Sequence, residues 1–135
     1  SPANINSTGA AAVLVMEGSA SVAANQLTFD VSGLPASTFG FIVAGQGAQM
    51  VMPAGSQGLL CVAGGPTGIA RLTSTLFQAT IAGAATGSID LSTPFPTTPT
   101  TPVVAGATWN FQVFYRDANP GVTSNYSNAT SILFQ

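Results

Sequence analysis

The chain has 135 residues, of which 46% are hydrophobic and only 4% charged; two Arg, four acids and no Lys or His leave a formal net charge of −2. An ordinary soluble domain carries about 25% charged residues, so this deficit is the chief anomaly. It argues against the basic patches that bind nucleic acid or anionic membrane surfaces, and the lack of His removes Ser-His-Asp and Cys-His nucleophilic systems.

The length suits one domain over residues 1–135, able to bury about two thirds of its unfolded surface without a metal or disulfide staple. High hydrophobicity with little charge is the reverse of a disordered chain. No apolar run approaches the ~18 residues of a membrane-spanning helix, so no membrane insertion is expected. With little repulsion between copies, solubility has to come from hydroxyls, amides, attached sugar or burial in an assembly. A start at Ser1-Pro2 without Met fits release from a signal peptide, and the expected location is extracellular.

Residues 1–9 are polar and aperiodic. The next seven, Ala10, Ala11, Ala12, Val13, Leu14, Val15 and Met16, are all apolar, as in a strand covered on both faces. Two roles fit this run: the first core strand of its own domain, or an assembly strand, within an extension of residues 1–16, donated to a neighbouring copy. Residues 26–31 alternate Leu27, Phe29 and Val31 with Thr28 and Asp30, a half-buried strand that stops at Gly33-Leu34-Pro35. Residues 39–44 and 48–52, on either side of Gly45-Gln46-Gly47, predict a hairpin. Further strands are predicted over 59–63, 69–72, 75–81 and 88–91. Residues 92–102 hold four Pro and five Thr, which favours an extended loop or edge cover over a central strand.

The closing stretch, residues 108–135, carries the strongest pattern. Trp109, Phe111, Val113 and Tyr115 share one face of a strand, and Asn110, Gln112, Phe114 and Arg116 share the other. An Asn, Pro and Gly turn and a second β-prone run follow, which predicts a long-looped hairpin and the main core anchor. About nine short β segments, with turn signals roughly every ten residues and no helical period, predict an all-β fold. The expected architecture is a single antiparallel β-sandwich of the immunoglobulin, fibronectin III or jelly-roll kind.

Chemistry is sparse. The acids Glu17, Asp30, Asp90 and Asp117 show no spacing that singles out a catalytic pair, and each sits where an exposed strand or turn acid would sit. No enzymatic activity, metal or cofactor is expected. Asp117-Ala118-Asn119-Pro120-Gly121 lacks the further acids of a calcium loop and reads better as an Asx-type turn. Cys61, the only Cys, reads as a small buried hydrophobe, with an intermolecular disulfide as the alternative. Trp109 and Tyr115 fit core better than a sugar-stacking platform. Three N-x-S/T sequons make Asn6, Asn125 and Asn128 glycosylation candidates, the last two in a loop expected to be exposed.

The closing run WNFQVFYRDANPGVTSNYSNATSILF resembles the last two strands of fibronectin type III domains. Over residues 39–135 the chain is also similar to Gly and Thr-rich β modules at the C-terminal end of secreted bacterial proteins. That likeness rests on the Gly58-Leu59-Leu60-Cys61-Val62-Ala63-Gly64 run and on the strand TWNFQVFYRD. It implies surface display and no particular ligand. The expected function is therefore structural: a secreted subunit that self-assembles into a surface filament or coat with copies of itself, through strand donation, and that carries covalent glycans. The alternative is a carbohydrate-binding or anchoring module of a larger secreted protein.

Overall fold

Ten strands account for the regular structure of the described residues, 3–118 and 121–135 of a computed structural model. They are β1 Val13–Gly18, β2 Leu27–Ser32, β3 Phe39–Gly45, β4 Gly47–Val51, β5 Leu60–Ala63, β6 Ala70–Gln78, β7 Ala85–Ile89, β8 Thr108–Ala118, β9 Val122–Tyr126 and β10 Thr130–Leu133. All ladders are antiparallel. One sheet runs β1-β2-β7, and a second runs β10-β8-β3-β6, with β9 also paired to β8. The two sheets enclose one core, which makes the fold an antiparallel β-sandwich.

Alternation decides what fills the sandwich. Leu14 of β1, Leu27, Phe29 and Val31 of β2, and Ala85 and Ile89 of β7 face Ile42, Ala44, Leu72, Trp109, Phe111, Val113 and Tyr115 of the other sheet. Each large side chain buried here contributes roughly 1.5–3 kcal/mol of transfer free energy. Gly87 faces inward too, because a Cβ there would lie 2.6 Å from the Phe29 ring. The Pro-rich residues 92–102 form a loop rather than a central strand, as expected, and their Phe95 plugs the core edge-on to Trp109 at 4.9 Å and to Phe111 at 6.2 Å.

Strand β1 departs from the doubly covered strand expected of residues 10–16. It begins at Val13, pairs with β2, and alternates: Ala12 and Leu14 enter the core of its own domain, while Val13 and Val15 face solvent. The Asn128 side chain lies against its free edge, accepting from the Leu14 N–H at 2.7 Å and donating to the Leu14 carbonyl at 3.1 Å. A side-chain amide thus takes the place of the next strand.

Three further expectations are corrected. The hairpin predicted over 39–44 and 48–52 does not form: β3 pairs with β6 and β8, and β4 pairs with β5. The segments 69–72 and 75–81 are not two strands but share β6, with a bulge opposite β3. In that bulge Thr75 Oγ1 accepts from the Ile42 N–H at 2.9 Å and donates to the Leu72 carbonyl at 2.6 Å. The loop before the last strand contains β9, so β9 and β10 together flank one edge of β8.

The β4–β5 hairpin forms a third layer over the outer face of the second sheet. Gln112, fully buried on that face, holds it: Oε1 accepts from the Cys61 N–H at 2.9 Å, and Nε2 donates to the carbonyls of Leu59 at 2.9 Å and Ser127 at 2.7 Å. Val43, Cys61, Val62 and Tyr126 are buried outside the main core cluster. Gly58 is required by close approach, since a Cβ would meet Asn125 Oδ1 and lie 2.6 Å from the Tyr126 nitrogen.

Candidate interaction surface

The part of the second sheet left open beside the hairpin is aromatic and carries both Arg residues. Phe41 of β3 is the ladder partner of Phe114, and Phe114 is the partner of Tyr126, which fixes the three rings side by side. Their centroids are 5.2 Å and 5.5 Å apart. Arg116, two residues along β8 and on the same face, lies 5.8 Å from the Phe114 ring centre, within cation–π range. Arg71, the ladder partner of Val43, also faces outward. Burial pushes the Tyr126 hydroxyl above its ordinary pKa, and the positive charge of Arg71 opposes that shift. Phe39 and Leu76 extend the patch, 53% and 62% exposed. A groove of about 390 Å³ runs beside it, lined by Val43, Leu60, Arg71, Pro96, Thr98 and Tyr126.

The outer face of the other sheet is different in kind. Its ladders place Val15 beside Asp30 and Asp30 beside Thr86, and Glu17 beside Thr28 and Thr28 beside Ser88. Hydroxyls, two acids and two Val therefore share one sheet face, and no strand of the described residues packs on it. The remaining acids are engaged elsewhere. Asp90 accepts from Ser92, Thr93 and Asn25, chiefly from Ser92, and these bonds hold its carboxyl well below the usual range.

Asp117 corrects the exposed turn acid expected from the sequence: it is 5% exposed and anchors the N-terminal loop. Burial acts to raise its pKa, yet hydrogen bonds from Ser7, the Ala118 N–H and Asn125 outweigh that and hold it low. Beside it the Asn6 amide donates to the Tyr115 hydroxyl at 3.1 Å and to the Gly33 carbonyl at 2.7 Å. Asn119 of the calcium-like run lies outside the described residues, and no group of three or more metal-binding side chains occurs among those described.

The glycosylation candidates are not on open loops. Asn6 and Asn125 are 2% and 0% exposed, and the Asn125 amide donates to the Ile5 carbonyl and to Asp117. Asn128 is half-buried and spends its amide on Leu14. A glycan on any of these nitrogens displaces hydrogen bonds within the fold, and the loop exposure expected of Asn125 and Asn128 is absent at the first and partial at the second. The donor candidates Ala10 to Met16 lead into and form β1 of their own domain. Trp109 and Tyr115 are fully enclosed and present no ring to a sugar, as their core reading required. Cys61 is a free, buried thiol.

No known protein family, curated protein or solved structure matches this chain.

The outward register of Phe114 and Arg116 was legible from alternation along β8. The arrival of Phe41, Tyr126 and Arg71 beside them was not, because it depends on pairing between segments far apart in sequence.

Proposed function

We propose that this chain is an extracellular, non-enzymatic β-sandwich that works by associating with copies of itself, as a subunit of a surface coat or filament. The observation that carries the reading is the contiguous apolar patch of exposed Phe39 and Leu76 with half-buried Phe41 and Phe114, in a chain with only six charged residues. Contiguous apolar surface of this kind marks contact sites, and here little net charge opposes contact between copies. Exposed Met50, Val51 and Met52 at the end of β4 add a second apolar stretch. Because β1 already completes its own core, the contact we propose is between preformed faces rather than a donated strand.

Sedimentation velocity and light scattering over a concentration series test this directly. The expected result is a mass that rises with concentration well above the 13.4 kDa of one copy. A single monomeric species up to millimolar concentration would overturn it.

A further inference from the structure

The charges that face solvent from the sheets are sorted by face. Glu17 and Asp30 lie on the outer face of the β1-β2-β7 sheet, whereas Arg71 and Arg116 lie on the outer face of the other. Asp117 is buried, and Asp90 is tied into the loop that follows β7. Each outer face thus has one sign of charge.

Building on self-association, we propose that the two outer faces are the complementary halves of a single head-to-tail contact, in which the acidic face of one copy docks on the aromatic–arginine face of the next. Like faces repel, so the symmetric pairing of two identical faces is selected against, and opposite faces attract. Apolar groups accompany the charges on both sides: Val13 and Val15, each 45% exposed, stand beside the acids, and Phe39 and Leu76 belong to the arginine face. Guanidinium groups also suit carboxylates, because their paired N–H donors match two oxygens at once. The two faces lie on opposite sides of the sandwich, so the contact does not close on itself, and repetition produces an open chain of copies.

Charge exchange tests the assignment. The acidic-face variant Glu17→Arg/Asp30→Arg has two positive faces, and the arginine-face variant Arg71→Glu/Arg116→Glu has two negative ones. Each alone is expected to associate about tenfold more weakly than the parent, or worse, at low salt. An equimolar mixture is expected to recover the parental mass, because every contact then joins opposite signs. The neutral variants Glu17→Gln/Asp30→Asn and Arg71→Gln/Arg116→Gln repeat the test without reversal, should a reversed variant not fold, and are expected to weaken association to a smaller extent. A parent that associates while the variants match it would overturn this contact and leave self-association standing. So would charge-reversed variants that weaken but are not restored by mixing. A monomeric parent would overturn both.

Discussion

The two sides of β8 hold their neighbours by different means. Toward the core, Trp109, Phe111, Val113 and Tyr115 are fully enclosed and stabilise through buried area and ring contacts. Toward the hairpin, the central side chain is Gln112, which acts through three directed hydrogen bonds. Area is non-directional and is lost in proportion to volume removed, whereas a buried amide is all or nothing, because each partner left behind is a desolvated polar group. One strand therefore supports a layer that tolerates apolar repacking and another that does not.

Truncation of the inner side should have the largest effect. Trp109→Ala is expected to destabilise by about 3–5 kcal/mol in chemical denaturation, from lost contacts and the cavity against Phe95. A loss under 1 kcal/mol would show that the inner face is not the main store of stability.

The far end of the same face gives an alkaline signature. Burial raises the Tyr115 pKa to about 12, with the Asn6 hydrogen bond opposing the rise and the negative charge of Asp117 adding to it. Folding thus favours the neutral phenol: this contribution is fully present below the unfolded value of about 10 and is lost as pH rises from there through about 12. The full loss is on the order of 2–3 kcal/mol. Tyr115→Phe should flatten the stability curve over that range, and an unchanged slope would mean that Tyr115 is not the group responsible.

Gln112→Leu sharpens the contrast on the outer side. It keeps bulk but strands the Cys61 N–H and the carbonyls of Leu59 and Ser127, for an expected cost of about 1–3 kcal/mol. Amide hydrogen exchange in β4 and β5 should accelerate before that in β2 and β8. Equal acceleration everywhere would show that the layers open as one unit.

The same contrast explains what the sequence disclosed. Inward positions of β2 and β8 were readable because apolar and polar residues alternate there with the period of a strand. Strand β9 was not, since Ser124 and Asn125 look like loop residues and become buried only by bonding to Gln57, Ser56, Ile5 and Asp117. The continuity of β6 was hidden for a related reason: Thr73-Ser74 reads as a break between two strands, yet the Thr75 hydroxyl substitutes for missing ladder bonds across the bulge. A loop position points to exposure for Asn125 and Asn128, yet each amide is spent on a backbone partner distant in sequence. The partnership of β4 with β5 followed from packing over Gln112, which no local pattern encodes.

Ala44 and Ala70 are direct ladder partners of β3 and β6. The chain leaves the sheet at one position and re-enters it immediately opposite, so everything between them is topologically an excursion from what would otherwise be a plain corner. Such a segment behaves as a cassette. A replacement has to cover Gln112, Val43 and Tyr126 and to keep the bonds that Ser56 and Gln57 make to Ser124 of β9. Because residues 46–69 begin and end at one corner of the sheet, their exposed side can change in length and sequence while the underside that meets Gln112 and β9 is kept.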